Sequence, residues 1–177
     1  MEETFDHDQL VRIARQATTD VFGTMLGMEI VPLDAYSETE PPVAAAGILS
    51  LIGFAGTWVG NGSFFCTAPM ACAIADALLM AEHHTVDEEV LDAMAEMTNM
   101  ILGNVKTELE EVLGPMLLSI PTVLYGRNFV KRSMGKREWV VVPFNWKEER
   151  IEIQICMAPN PNPDGLRQCL RPYGVHA

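Results

Sequence analysis

The chain has 177 residues, of which 49% are hydrophobic and 20% are charged, and its formal net charge is −12. This length allows one domain with a sizeable core, and the composition is that of a globular protein rather than a disordered one. Acidic residues outnumber basic ones, 24 to 12, and the only basic cluster is the short run VKRSMGKR. Nucleic acid is therefore not expected as a partner, whereas a partner with a basic rim or an exposed lysine suits the charge.

The sequence predicts a cytosolic protein in a reducing compartment. The start, MEETFDHDQLVRIA, has no basic segment followed by an apolar run, and no stretch of about 18 apolar residues could span a membrane. The pair His83-His84 has only the distant His7 and His176 as further imidazoles, so we interpret it as part of a loop and expect no metal site. No C-x-x-C pair or zinc spacing occurs among the cysteines, which are Cys66, Cys72, Cys156 and Cys169.

In chain order, the first predicted element is a helix over residues 6–26, with Asp6 or Asp8 as its cap and Gly27 at its end. A short strand, MEIVPLDAY, and a loop, SETEPP, follow. The run VAAAGILSLIGFAGTWVGNGSFFCTAP is rich in β-prone residues, and its Asn-Gly pair predicts the turn of a two-stranded hairpin. The run APMACAIADALLMAEHH then predicts a helix with Pro69 in its first turn.

The second half begins with a long helix, predicted from about residue 86 to residue 113. Thr85 is its expected N-cap, and Gly114-Pro115 ends it. Three strands follow, LLSIPTVLYG, REWVVVPFNW and RIEIQICMA, of which the last two are expected to form a hairpin around NWKEE. We place the domain at residues 1–157 and expect the Pro-rich stretch 158–177 to be a poorly ordered tail.

This order of elements predicts an α+β domain, with a mostly antiparallel sheet and helices packed on one face. It also suggests two similar halves, each consisting of a helical part followed by three strands. The sequence shows no clear residue-level repeat between them.

The long helix carries a polar stripe opposite its broad apolar face. At 100° per residue, the stripe falls within about 40° either side of the direction that faces away from the core. Its members are Asp92, Glu96, Asn99, Gly103, Lys106 and Glu110. Glu96 and Asn99 point outward about one turn apart. Met97 and Met100 are expected to flank the stripe, where Met can serve a protein-binding surface, although Met in a helix is more often part of the core.

The residues of the stripe leave several interpretations open. Glycine in a helix interior costs roughly 1 kcal/mol against alanine, so Gly103 indicates close packing against a neighbouring element or close approach by another molecule. A carboxamide such as that of Asn99 does not titrate, but it can orient a water, and phosphoryl transfer depends on positioning and electrostatics. The Glu96 carboxylate could pair with a lysine of a partner. A solvated helix surface is the plain alternative.

The run DAMAEMTNMILGNVKTEL, followed by LSIPTVLYGRNF, resembles the CheX-like chemotaxis phosphatase family, which includes the relatives CheC and FliY. The combined pattern spans about 40 residues and is specific, whereas Glu-x-x-Asn alone would be weak. The positions that carry the resemblance are Asp92, Glu96, Asn99, Gly103-Asn104, Lys106 and Pro121.

The resemblance implies an enzyme that hydrolyses the aspartyl phosphate of a CheY-type response regulator. Asn99 would enter the regulator's site and orient the attacking water, and Glu96 would hold the regulator lysine that contacts the phosphate. The further docking residues would be Asp92, Met100, Gly103 and Lys106. The Mg²⁺ would belong to the regulator, so the chain would need no cofactor of its own. The resemblance also implies a homodimer formed by edge-strand pairing.

Two alternatives stay open at this point. One is a binding module of the same fold that docks a response regulator without hydrolysing it, and the other is a structural, sheet-forming dimer.

CheC carries two Glu-x-x-Asn pairs, whereas the first-half helix MACAIADALLMAEHH has none. We therefore expect one site per chain.

Overall fold

The computed structural model describes residues 6–42, 46–129 and 138–162. Within these ranges the helices are α1 (His7–Val21), which continues into the π-helical turn Phe22–Leu26, α2 (Ala68–Leu79) and α3 (Glu88–Leu113). The strands are β1 (Val31–Pro32), β2 (Tyr36–Glu38), β3 (Ala46–Gly56), β4 (Trp58–Cys66), β5 (Met116–Leu118), β6 (Thr122–Arg127), β7 (Trp139–Trp146) and β8 (Glu149–Pro159). None of the helices in these ranges is long and apolar enough to cross a membrane.

The strands of the described ranges form one antiparallel sheet in the order β1-β7-β8-β4-β3-β5, with β2 also paired to β7 and β6 to β3. The ladder between β4 and β8 lies at the centre and runs from the pair Trp58 and Pro159 to the pair Cys66 and Ile151. Each half of the chain sends its short strands to the long strand of the other half. The predicted α+β fold with two similar halves is therefore confirmed, and the halves exchange their edge strands.

The helices pack on one face of the sheet, as predicted. Alternate side chains of the four long strands point to that face because the side-chain period of a strand is two. The buried residues that these four strands contribute to the core are Ile48, Ile52, Phe54, Phe64, Cys66, Val140, Val142, Phe144, Ile151, Ile153 and Ile155. Phe22, at the end of α1, meets Phe64 edge to face with 6.2 Å between ring centroids, an arrangement that aromatic pairs prefer.

Local capping explains where α1 begins and where its helical path ends. The Asp6 carboxylate accepts a hydrogen bond from the Asp8 backbone N–H at 3.1 Å, as the sequence predicted. Gly27 adopts a left-handed conformation with φ of 63° and ends the π-helical turn, which also agrees with the prediction. Helix α2 ends at Leu79, earlier than predicted, because Met80 takes the left-handed conformation.

The N-terminus of α3 differs from the prediction. Asp87, not Thr85, is the N-cap, and its carboxylate accepts a hydrogen bond from the Val90 N–H at 3.0 Å. A carboxylate at this position also interacts favourably with the positive end of the helix dipole. The predicted end of α3 at Gly114 is confirmed.

The Asn-Gly pair of the first hairpin does not form the predicted turn. It lies inside β4, and the chain reverses at Thr57 instead. A Cβ on Gly60 would collide with the carbonyl oxygen of Cys156 on β8, and a Cβ on Gly62 would lie 2.6 Å from Cδ1 of Leu102 on α3. These glycines are therefore sites where another strand and a helix approach the backbone closely.

The remaining strand predictions hold with changed boundaries. The β7–β8 hairpin turns at Lys147, which has a φ of 54°, as the run NWKEE predicted. The run LLSIPTVLYG forms two strands rather than one, interrupted before Thr122, and part of the predicted SETEPP loop belongs to β2. Strand β8 continues to Pro159, past the predicted domain boundary at 157. Residues 163–177 lie outside the described ranges, so the tail stays a prediction.

Gly60→Ala should lower the free energy of unfolding by about 1–3 kcal/mol, because the new Cβ must displace the backbone of β8. Gly23→Ala is the matched control, since a Cβ on Gly23 meets nothing within 4 Å. Urea unfolding followed by circular dichroism measures both changes. Equal stability of the two variants would contradict the close approach of β8 to β4.

Candidate functional site

Helix α3 lies over the sheet with one broad face buried. The buried residues are Val90, Ala93, Met94, Met97, Thr98, Ile101, Leu102, Val105, Leu109 and Leu113. Met97 is fully buried, so the expectation that it flanks the polar stripe is wrong. The buried arc is displaced toward Met97 because α3 contacts α1 and α2 as well as the sheet.

The polar stripe faces solvent in its N-terminal part. Asp92, Glu96 and Asn99 are all exposed. Within the described part of the chain, neither the Glu96 carboxylate nor the Asn99 carboxamide has a hydrogen-bond or ion-pair partner. Both polar groups are thus presented by a rigid helix, one turn apart, and they are not engaged by other groups of that part of the chain.

Gly103 lies one turn beyond Asn99, and the space around it is open. A Cβ built on Gly103 would meet no atom of the described residues within 4 Å. Close packing against a neighbouring element, one of the two interpretations of this glycine, is therefore wrong for the described structure. The remaining interpretation is a stretch of bare backbone that another molecule can approach.

The C-terminal part of the stripe is occupied by internal bonds. The Lys106 ammonium pairs with the Glu110 carboxylate at 2.8 Å, and Glu110 accepts a hydrogen bond from the Met116 N–H at 2.8 Å. The hydrogen bond from Lys106, and after it the one from Met116, lowers the pKa of Glu110. These bonds tie the end of α3 to β5. Unlike Glu96 and Asn99, Lys106 is already paired within the chain.

An open groove of about 560 Å³ lies beside Asp92 and Glu96, between α3, the end of α2 and the π-helical turn. We call it the α3 groove. Its lining residues are Met25, Leu78, Leu79, Glu89, Asp92, Ala93, Glu96 and Met100. Met25 and Leu79 are 49% and 44% exposed, so apolar surface adjoins three carboxylates. Sequence reasoning found Met100, which also packs on the core. It missed Met25 and Leu79, which other helices bring here, and Glu89 in the first turn of α3.

His83 is buried near the end of the α3 groove, in the connection between α2 and α3. Its Nδ1 is 2.9 Å from Asp76 Oδ1, and its Nε2 is 3.2 Å from Glu89 Oε2. The hydrogen bond with Asp76, and after it the one with Glu89, raises the pKa of His83. One side-chain nitrogen or oxygen atom of each of His83, Asp87 and Glu89 lies within 4.8 Å of the others. His83 and Glu89 share a hydrogen bond, and Asp87 is the N-cap of α3. The sequence predicted that His83 lies in a loop but not that its side chain is buried.

The counterpart of α3 in the first half of the chain is α1, not α2. Buried residues of the two helices repeat eighty positions apart, and Thr18 and Thr98 both donate a hydrogen bond to the carbonyl oxygen four residues earlier. The pairs are Leu10 and Val90, Ile13 and Ala93, Ala14 and Met94, Ala17 and Met97, Thr18 and Thr98, Val21 and Ile101, and Phe22 and Leu102. By the same spacing, Gln16 corresponds to Glu96 and Thr19 corresponds to Asn99. Comparison of α3 with α2 was therefore wrong, and α1 also lacks a Glu-x-x-Asn pair.

The fold and the stripe together define a class of proteins in which a sheet carries an exposed Glu-x-x-Asn helix. The family model "Chemotaxis phosphatase CheX" matches residues 48–145, more than half of the chain. The chain belongs to the CheX family. No curated protein matches it.

Solved structures of the same fold agree with this assignment. Chemotaxis protein CheX from Vibrio vulnificus, known from a crystal structure, is 24% identical in sequence to this chain. The match covers 85% of this chain and 99% of that chain, with a TM-score of 0.76. Chemotaxis protein CheX from Desulfovibrio desulfuricans is 25% identical, with the same coverages and TM-score. The CheX-CheY-BeF3-Mg²⁺ complex from Borrelia burgdorferi is 23% identical over 86% of this chain and 97% of that chain, with a TM-score of 0.69.

Gly103→Ala should raise the free energy of unfolding by up to about 1 kcal/mol, because alanine has the higher helix propensity and its Cβ meets open space. Chemical denaturation of the isolated protein measures this, with Gly60→Ala as the reference for a glycine that cannot accept a side chain. A loss of stability in Gly103→Ala would show that the glycine serves internal packing.

Proposed function

We propose that this protein is a phosphatase that hydrolyses the aspartyl phosphate of a CheY-type response regulator. The observation that carries the proposal is the exposed pair of Glu96 and Asn99, which has no partner among the described residues and lies beside the open backbone at Gly103. Membership of a family whose model is described as a chemotaxis phosphatase supports the reaction class. The related complex from Borrelia burgdorferi, which contains CheY, supports the kind of partner.

In this proposal Asn99 orients the attacking water. Its carboxamide oxygen accepts a hydrogen bond from the water while its NH₂ group donates to a phosphoryl or regulator oxygen. No proton needs to be taken by the side chain, because phosphoryl transfer depends on in-line positioning and on stabilisation of charge. Since Asn99 is exposed on a rigid helix and has no internal bond to break, little reorganisation precedes docking.

Glu96 has the docking role in the same proposal. Its carboxylate pairs with the regulator lysine that contacts the phosphate and so fixes the register of the two proteins. Asp92 extends the negative charge by one turn, and the net charge of −12 favours the approach of a basic rim. Gly103 allows the regulator backbone to come close, and Met100 supplies adaptable apolar contact. Lys106, already paired with Glu110, has a docking role only if that pair opens.

Mg²⁺ is assigned to the regulator rather than to this chain. The complex from Borrelia burgdorferi contains Mg²⁺ together with CheY and BeF3. Neither Glu96 nor Asn99 belongs to the cluster of His83, Asp87 and Glu89, the one group of described acidic, His and Cys side chains close enough to share a cation. We therefore propose no cofactor of its own for this protein.

A homodimer and a cytoplasmic location belong to the same proposal. Strand β6 is an outer strand with Leu124 and Tyr125 40% and 55% exposed, and it could pair with a second copy. The two other candidates remain a non-hydrolysing regulator-binding module and a structural dimer. They differ from the phosphatase in what the stripe does, and the following variants separate them.

Asn99→Ala should reduce the acceleration of phosphate loss by roughly 10²-fold or more, because the water is no longer oriented. The measurement is loss of phosphate from a phosphorylated CheY-type regulator of the same organism, alongside the dissociation constant of the complex. Binding should change little. Asn145→Ala, an exposed asparagine on β7, is the matched control and should retain full activity.

Each outcome of this experiment selects one candidate. Acceleration by wild type but not by Asn99→Ala supports the phosphatase. Binding without acceleration, across all the organism's regulators, favours the binding module. If the wild-type protein neither binds a regulator nor accelerates phosphate loss, the structural dimer is the remaining candidate and the proposal is overturned.

Glu96→Gln should weaken docking roughly tenfold, because it removes one charge-assisted hydrogen bond to the regulator. It should also make the affinity less dependent on salt, since one ion pair is lost. Glu108→Gln is the control, because Glu108 is an exposed glutamate of the same helix on the side that faces α1. Equal effects of the two substitutions at low and high salt would show that only net charge matters.

A further inference from the structure

Helices α2 and α3 form two walls of the α3 groove, and one buried side chain joins them. Helix α2 supplies Leu78 and Leu79, whereas α3 supplies the acidic wall that includes Glu89. His83 bridges Asp76 on α2 and Glu89 in the first turn of α3. His83 is 8% exposed, so its ring is held in place. The bridge therefore links the two walls of the groove.

The geometry of this bridge favours the protonated form of the ring. Both ring nitrogens face a carboxylate oxygen, and a carboxylate can only accept. A neutral imidazole has one N–H, so its other nitrogen would present a lone pair to Asp76 or Glu89. Only the imidazolium donates both hydrogen bonds. The charged ring therefore satisfies both carboxylates, which the neutral ring cannot do.

We propose that the His83 imidazolium is a positioning residue that holds α2 and α3 at the spacing of the α3 groove, and that loss of its proton to water weakens docking of the partner. The inference rests on the proposed function, because the groove adjoins Glu96. Asp76 also accepts from the His83 backbone N–H at 2.6 Å, whereas the Glu89 side chain is 74% exposed. Deprotonation therefore releases Glu89 first, and its carboxylate turns to water.

The charged groups that face His83 all stabilise its protonated form. Asp76 comes from α2, and Asp87 and Glu89 come from the start of α3, while burial opposes the charge. The neighbouring Cys72 thiol has a pKa raised by burial, by Asp76 and by Asp87, so it stays neutral near pH 7 and adds no charge. Because the folded pKa of His83 is raised, the bridge is fully present below the unfolded value of about 6.5 and is lost as pH rises through the folded value.

The first test uses the free protein and needs no partner. Ring resonances of His83 are followed by NMR against pH, together with methyl resonances of Met25 and Met100 on the groove. We expect a His83 midpoint above about 6.5 and groove methyls that shift with the same midpoint. Asp76→Asn should move both midpoints to lower pH. The inference would be overturned by a His83 midpoint at or below about pH 6.5, or by groove methyl resonances that do not shift with the His83 titration.

The second test measures the dissociation constant of the phosphorylated CheY-type regulator over the same pH range. Wild type should lose at least about fivefold in affinity across the His83 transition. His83→Gln should show the weak affinity at all pH values, and the ratio of its dissociation constant to that of wild type should fall toward one as pH rises. His84→Gln, at the exposed neighbouring histidine, should follow wild type.

Failure of the inference and failure of the proposed function give different results. If Asn99-dependent hydrolysis is found but His83→Gln and wild type share one pH dependence, the bridge has no role in docking and the phosphatase proposal stands. If no regulator binds at any pH, the proposed function fails, and the NMR titration alone decides whether the bridge controls the groove.

Discussion

Leu102 of α3 packs over the backbone of Gly62 on β4, and this contact sets how closely the helix approaches the centre of the sheet. A Cβ at position 62 would lie 2.6 Å from Leu102 Cδ1 and 2.9 Å from Phe54 Cε2, so a larger residue would move the helix. Because a helix is rigid, fixing its buried face also fixes the direction of Glu96 and Asn99. The site thus has the preorganisation that positioning chemistry requires, and the core supplies it.

The parts of the fold that depend on local chemistry could be predicted from the sequence. Asp6, Gly27 and Gly114 cap helices through bonds to their near neighbours, and the hairpin at Lys147 forms between adjacent strands. The Asn-Gly pair in β4 could not be interpreted this way. Its local preference is for a turn, but Leu102, distant in sequence, requires bare backbone at Gly62. Tertiary packing overrides local propensity in such cases.

The candidate site likewise has a part that could be predicted from the sequence and a part that depends on tertiary packing. The outward direction of Glu96, Asn99 and Gly103 follows from helical periodicity alone, so sequence reasoning could find these residues. Met25 and Leu79 reach the α3 groove only because the π-helical turn and α2 pack beside α3. Met97 was misplaced because α1 and α2 pack beside α3 and extend its buried arc beyond what an isolated amphipathic helix would show.

The internal repeat separates what the fold requires from what the chemistry requires. Helices α1 and α3 bury equivalent positions against the same sheet, where close packing restricts every side chain, so the repeat survives there. Gly23 and Gly103 also correspond, and both face open space. The solvent sides differ: Gln16 stands in place of Glu96 and donates a hydrogen bond to Asp20 at 2.8 Å, whereas Glu96 has no partner in the described part of the chain. Neutral Gln16 cannot form the ion pair proposed for Glu96, and Thr19 has no carboxamide. The chemistry proposed for this protein is therefore confined to α3, although the fold builds that helix twice.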